Sequence, residues 1–362
     1  MPEVRRGVSG VRLNYVETLN EAWAQHLAPR ASDALTVVSL FAGCGGSSLG
    51  YSMAGYREIL AVEWDAHAVE TFRANFPGVP VYHGDIMKLT DAEAIGLADI
   101  EPGQLDVLNG SPPCQGFSTA GKRDFTDMRN QLFREYVRLL RAFRPRAFVM
   151  ENVPGMVKGK MKLIFAECMR ELKESGYEVR CRLLNAKHFG VPQSRDRVIF
   201  IGIRHPASGI RHPDPLRDRY VVADALPGAP LHRADGSLIL TPLYAGYWRA
   251  AGQGGSVGKL QSVKRLTIRK PSNSIVKSEG NGGVYHPTEP RKMMLRELSR
   301  LQSFPDAWAW PGVRKQIQER IGNSVPPLFM RAIALTVAET LHGSNYQAEE
   351  GGSIPTPALQ VH

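Results

Sequence analysis

The sequence predicts an α/β fold: a doubly wound, mostly parallel sheet accompanied by a second, smaller domain. Short apolar runs alternate with helical patterns through the first two thirds of the 362 residues. Alternation at that spacing builds parallel sheets with helices on both faces. After Arg204 the texture changes to Pro, Gly, Arg and Lys with little helical period, and helical spacing returns only near the end.

Taken in order, residues 36–41, 58–63, 79–85, 105–109, 147–151 and 198–203 read as strands, each a short apolar run. Between them, 47–53, 66–75, 129–143 and 162–175 carry helical spacing. From 205 to about 285, Lys259, Lys264, Arg265, Arg269, Lys270 and Lys277 accumulate among β-branched residues and the aromatics Tyr244, Tyr247 and Trp248. That composition fits a small domain of short strands and long loops. Helical patterns resume at 291–301 and, past Ile321-Gly322-Asn323-Ser324-Val325-Pro326-Pro327, at 328–341. The polar, Gly/Pro-bearing tail 343–362 reads as disordered.

Composition is ordinary for a globular chain, with 43% hydrophobic and 22% charged residues. The charge is not ordinary: a formal +10 and a pI near 9.5 favour a polyanionic partner, nucleic acid first. Charge alone leaves a merely basic soluble protein as an equal reading. The cysteines Cys44, Cys114, Cys168 and Cys181 form no Cys-x-x-Cys pair, so no metal site is expected. No apolar leader or membrane-length run is evident, which places the chain in a reducing cytosol with free thiols.

The first strand runs into Phe41-Ala42-Gly43-Cys44-Gly45-Gly46, which opens a helix. Glycines there permit a tight turn and close approach of a ligand. The second strand ends in Glu63-Trp64, a carboxylate for a ribose beside an aromatic face for a purine. The third ends in Gly84-Asp85-Ile86, where a carboxylate can accept from an adenine amino group. The loop by itself fits a nicotinamide cofactor or a plain turn as well. Its Gly-x-Gly-Gly spacing departs from the dinucleotide pattern, and the acid–aromatic pair followed by an acid suits S-adenosylmethionine better.

The fourth strand leads into Ser111-Pro112-Pro113-Cys114-Gln115. Two prolines stiffen the approach and withhold two N–H donors just before one thiol. A core-packing role fits Cys168 and Cys181, but it fits Cys114 poorly. The fifth strand ends in Glu151-Asn152-Val153, a carboxylate that is costly to leave unpaired. Gln193-Ser194-Arg195-Asp196-Arg197 precedes the sixth, and alternation puts Gln193, Arg195 and Arg197 on one side.

These residue types answer one chemical problem. C5 of cytosine accepts a methyl group only after the ring's aromaticity is broken. A thiolate adding at C6 does this, and the resulting enamine attacks through C5. A carboxylic acid at N3 stabilises the electron-rich ring, and arginines hold O2 and nearby phosphates.

On these segments the sequence resembles the DNA (cytosine-5) methyltransferase family of the bacterial restriction-modification type. Residues 39–50, Glu63-Trp64 and Gly84-Asp85-Ile86 resemble its three cofactor blocks. Residues 110–118 resemble its Pro-Cys block, Glu151-Asn152-Val153 its Glu-Asn-Val block, and 193–202 its Gln-x-Arg-x-Arg block. Residues 296–306 and 321–327 resemble the two closing blocks. The resemblance implies an S-adenosylmethionine-dependent, Rossmann-like fold with Cys114, Glu151, Arg195 and Arg197 catalytic, Glu151 serving N3. It implies cofactor contacts at Phe41, Gly43, Cys44, Gly45 and Gly46, at Glu63, Trp64, Asp85 and Ile86, and at Pro113, Leu132, Asn323 and Val325. The product is S-adenosylhomocysteine.

It further implies an N-terminal extension (1–33), and a cofactor-binding and catalytic domain (34–204, completed by 319–342). A target-recognition domain with its closing segment follows at 205–318. There, basic side chains face phosphates while Tyr247, Asn273 and Asn281 face bases. The partner is duplex DNA with a flipped cytosine, and the loop 115–129 closes over it. No membrane or metal is expected. A cognate restriction endonuclease is a genetic rather than physical partner, and the chain acts as a monomer in the bacterial cytoplasm, at the nucleoid. Ala120 replaces a serine of some relatives, and Met294 a threonine of many. Rival readings are an RNA-directed member, an inactive nucleic-acid-binding member and a nicotinamide dehydrogenase; the last has no use for Pro-Pro-Cys.

Overall fold

The computed structural model describes residues 14–113, 128–157, 162–204, 209–226, 238–257, 264–278 and 283–348. The first part of the chain forms α1 (Tyr15–Leu27), β1 (Thr36–Leu40), α2 (Gly46–Met53), β2 (Arg57–Glu63), α3 (Ala66–Asn75), β3 (Val81–His83) and α4 (Asp91–Ala98). Next come β4 (Val107–Gly110), α5 (Met128–Phe143), β5 (Ala147–Asn152), α6 (Lys162–Glu174), β6 (Glu178–Asn185) and β7 (Asp196–Ile203). The remainder forms α7 (Val222–Ala225), α8 (Pro242–Ala251), β8 (Lys264–Arg265), β9 (Val284–Tyr285), α9 (Leu295–Leu301), α10 (Arg314–Asn323) and α11 (Pro327–Ala348).

The main sheet has seven strands in the order β3-β2-β1-β4-β5-β7-β6. β1 to β5 run parallel, while β7 is antiparallel to both β5 and β6. A parallel sheet buried on both faces needs apolar residues at every position, and β1 is buried throughout. Val37, Val107, Ala147 and Val149 face a layer containing Leu49, Met330, Ile333 and Val337 from α2 and α11. Val38, Leu40, Leu108 and Phe148 face Tyr136, Leu140, Phe143 and Leu172 from α5 and α6. α11 lies close on α2, where a Cβ at Gly50 would stand 2.6 Å from that of Met330.

Several details differ from expectation. β1 stops at Leu40 because Phe41 turns to a φ of 55°. β3 is only Val81–His83, since Asp85 caps a turn instead of extending the strand. β6 alternates charged and apolar residues along the sheet's edge, so its signal as a strand is weak. The extension 1–33 contains α1, started by an Asn14–Glu17 capping box. α4 also appears where no helix was expected. α9 begins at Leu295 rather than 291, because Arg291 and Lys292 are bridged to Ile239 and Tyr285. The tail expected to be disordered from 343 is helical to Ala348. The run Arg314–Gly343 is long and apolar enough to cross a membrane, contrary to the sequence reading. Leu328, Phe329, Met330, Ile333 and Val337 of this run are buried in the core instead.

The small second unit is built around Leu240, Trp248 and Tyr285, with β8 and β9 paired in parallel. Trp248 donates its indole N–H to the His286 carbonyl at 2.7 Å and carries the Arg265 guanidinium over its ring at 3.5 Å. These two residues hold the unit together and are not free to meet DNA. Asn273, Arg269 and Lys270 are exposed. Asn281 and Lys259 lie outside the described residues, as do Cys114, Ala120 and most of the loop 115–129.

Candidate active site

The carboxyl ends of β1, β2 and β3 meet the turn between α10 and α11. Gly43 (φ 56°) and Gly45 (φ 93°) let the chain after Phe41 fold into a tight loop. Glu63 at the end of β2 pins that loop: Oε2 accepts from the Gly43 amide at 2.7 Å, and Oε1 from the Trp64 and Asp65 amides at 2.9 Å each. Burial pushes the Glu63 pKa up, and the three amides oppose that shift. Its primary structural work is to shape the glycine loop, a role the sequence reading did not assign. Trp64 is 76% exposed, an unencumbered face for stacking.

Asp85 is exposed, and its carboxylate accepts from the Met87 amide at 3.0 Å. Ile86 turns its side chain into the core, and Leu132 and Phe41 pack against the same cluster. Cys44 is buried too. Its Sγ lies 3.0 Å from Ser324 Oγ, and burial raises its pKa to about 11, the behaviour of a packing thiol. A Cβ on Gly46 would stand 2.5 Å from the Val325 carbonyl oxygen, so only glycine permits this contact between loop and turn. Asn323 is exposed beside it. The open space around Gly43, the Trp64 face and the Asp85 carboxylate suit a purine nucleoside carrying an amino-acid chain.

The reacting end lies on the next two strands. The β4–β5 ladder finishes at Gly110 and Met150. Beyond it, the buried Asn152 donates from Nδ2 to the Pro112 carbonyl at 3.0 Å and accepts from the Val153 amide at 2.9 Å. The side-chain amide thus gives the Pro112 carbonyl a donor beyond the end of the ladder. Pro113, exposed, directly precedes Cys114. Glu151 is buried and ion-paired with Arg197 Nε.

Arg195 is buried differently. Its Nη1 donates to the Ile275 carbonyl at 3.0 Å and its Nη2 to the Gly322 carbonyl at 2.8 Å. Gln193 accepts from the Ile275 amide at 3.0 Å and donates to the Leu301 carbonyl at 3.2 Å and to Gln302 Oε1. Gln302 continues to the Ser324 carbonyl at 2.6 Å. The three alternating side chains therefore divide their tasks: Arg197 meets Glu151, while Gln193 and Arg195 fasten the segment around Ile275 to the sheet. Asn152, Gln302 and Ser324 were present in the motifs, but their partners lie too far along the chain for spacing to reveal.

Met294 precedes α9 without capping it through its side chain; its amide is held instead by Glu297 at 2.7 Å. Among the described residues no group of three or more His, Cys, Asp or Glu could hold a metal ion.

A cofactor-shaped loop on one side of a strand edge and a buried Glu–Arg pair on the other define a methyltransferase on a Rossmann-like sheet. The chain belongs to the C-5 cytosine-specific DNA methylase family, whose model matches residues 35–220 and 244–339. It is 37% identical over 326 residues to the Type II methyltransferase M1.HphI of Haemophilus parahaemolyticus, covering 84% of this chain and 86% of that protein. It is 33% identical to the Type II methyltransferase M.DdeI of Desulfomicrobium norvegicum over 371 residues, covering 83% and 88%. A crystal structure described as a prophage-encoded DNA modification methyltransferase of E. coli superposes with a TM-score of 0.72 at 26% identity, covering 85% of this chain and all of that one.

Proposed function

We propose that this DNA cytosine-5 methyltransferase moves a methyl group from S-adenosylmethionine to C5 of a cytosine flipped out of duplex DNA, through a Cys114–C6 adduct. The observation that carries this reading is the buried Glu151–Arg197 pair beside the Pro112–Pro113 approach. It sits on the strand next to the one that delivers the thiol, and both share an edge with the glycine loop.

S-adenosylmethionine supplies an electrophilic methyl group on a sulfonium. Gly43 and Gly45 shape its seat, Glu63 holds that shape, Trp64 stacks on the purine, and Asp85 and Asn323 offer polar contacts. The Cys114 thiolate forms a bond to C6 as the C5–C6 π pair moves to C4–C5 and the C4–N3 π pair moves onto N3. Glu151, steered by Arg197, gives N3 a hydrogen bond or proton, and the guanidinium holds O2. C5 takes the methyl group as its bond to sulfur breaks and S-adenosylhomocysteine leaves; a base then removes the C5 proton, the C5–C6 π bond re-forms and the thiolate departs.

Residues 205–318 serve as the recognition unit in this reading, with Arg269 and Lys270 toward phosphates and Asn273 toward bases. The enzyme works in the bacterial cytoplasm as a monomer, as part of a restriction-modification system or derived from one.

Incubation with labelled cofactor and either duplex DNA or tRNA tests the substrate: label in DNA is expected, and label in tRNA alone overturns the reading. Cys114→Ser should abolish transfer while DNA binding survives. Transfer at the wild-type rate by that variant removes the adduct from the mechanism.

A further inference from the structure

α1 lies outside both stretches that match the family, yet it is fastened to both sides of the site. Near its start Tyr15 donates its hydroxyl to the Arg300 carbonyl at 2.6 Å, and Thr18 Oγ1 meets the Tyr220 hydroxyl at 2.8 Å. Arg300 is itself locked by Asp306 at 2.7 and 2.6 Å. Further along, Trp23 packs edge-on to Trp308 with ring centroids 6.1 Å apart, and His26 edge-on to Phe76 at 5.0 Å.

Those two rings stand directly behind the glycine loop. A Cβ on Gly45 would lie 2.9 Å from the Phe76 ring and 3.4 Å from the Trp308 ring. His26 also reaches Ser52 Oγ at 2.7 Å and the Asn75 carbonyl at 3.2 Å. Asn75 in turn exchanges hydrogen bonds with Ala309, at 3.0 and 2.8 Å. One helix thus braces the ends of α2 and α3 and the segment 308–310, which together back the loop.

We propose that α1 is a positioning element of the cofactor site: Trp23 and His26 hold Trp308 and Phe76 against the glycine loop, and affinity for the methyl donor depends on them although neither touches it. This rests on the loop being the S-adenosylmethionine seat. Packed neighbours transmit a displaced ring because interiors have few voids to absorb it.

The test uses the full chain with Trp23→Ala, Trp23→Phe and His26→Gln. Binding of S-adenosylhomocysteine is measured by calorimetry without DNA, beside KM for S-adenosylmethionine and kcat at saturating DNA. Trp23→Ala and His26→Gln should weaken binding about five-fold or more and raise KM in step. kcat at saturating cofactor should stay within about two-fold, since the loss is in binding and not in the chemical step. Trp23→Phe should restore most of the affinity. Unchanged affinity in both weakening variants, or a fall in kcat with affinity intact, overturns the proposal. Should Trp23→Ala not fold, His26→Gln alone decides on the same terms. Failure of the wild type to bind S-adenosylhomocysteine would instead overturn the seat itself.

Discussion

Asn152→Asp is the most discriminating perturbation of the reacting end. Asparagine donates to the Pro112 carbonyl at 3.0 Å and accepts from the Val153 amide at 2.9 Å. A carboxylate of the same shape keeps the second bond but turns the first into an acceptor facing an acceptor. A buried carbonyl left without a donor costs about 1–3 kcal/mol. Asn152→Ala loses both bonds, for a total of about 2–6 kcal/mol on the same scale. In a chain of this size each kcal/mol corresponds to about 1–2 °C in Tm. In the proposed mechanism catalysis should suffer more than stability, because Pro112 and Pro113 lead directly into Cys114. A displacement near 1 Å is worth about 100-fold in rate, so single-turnover methyl transfer by Asn152→Asp should fall about 10- to 100-fold. Affinity for S-adenosylhomocysteine should hold, since Glu63 and the glycine loop belong to β1 and β2. Wild-type transfer by Asn152→Asp, or an equal loss of cofactor affinity, would refute the idea that this amide aligns the thiol.

Alkylation with iodoacetamide at about pH 7.5 should spare Cys44 and Cys181 in the native protein. Burial raises their thiols to about 11 and about 12. Peptide mapping should find the label at Cys114, and early label at Cys44 would contradict its packing role. Gly46→Ala should weaken cofactor binding about ten-fold by calorimetry, because its methyl group would meet the Val325 carbonyl at 2.5 Å. Burial, reinforced by Arg30 and opposed by the Asn75 carbonyl, lowers the His26 pKa, and burial likewise lowers that of His212. The unfolded chain then takes up protons near its ordinary 6.5 while the folded one does not. Stability should therefore fall as pH drops below about 6.5, and His26→Gln should flatten the Tm–pH curve there.

The doubly wound sheet was legible because β1, β4, β5 and β7 are near-continuous apolar runs, as strands covered on both faces must be. β6 was not, since an edge strand with Glu178, Arg180 and Arg182 looks like solvated chain. α1 escaped notice because its apolar residues are spread among polar ones in a segment read as an extension. At the site, residue types were legible and partners were not. Glu63 suggested a ribose ligand, while its bond to Gly43 depends on how the loop curls. Arg195 suggested a substrate contact, while its carbonyl partners at Ile275 and Gly322 lie far along the chain. Trp248 stood out only as one aromatic in a basic stretch, and it packs the small unit's core.

Gln193 and Arg195 hold the segment around Ile275 through its amide and carbonyl. Ser272 exchanges main-chain bonds with Pro192 and Ser194 in the same place. These bonds to peptide groups are joined by the Ser274 hydroxyl on the Ser194 carbonyl and by the Ile275 side chain in the core. If residues 205–318 read DNA as proposed, exposed positions such as Arg269, Lys270 and Asn273 can change while 272–275 keeps this attachment. Hybrids joined so that 272–275 stays intact should inherit new specificities more readily than hybrids cut through it.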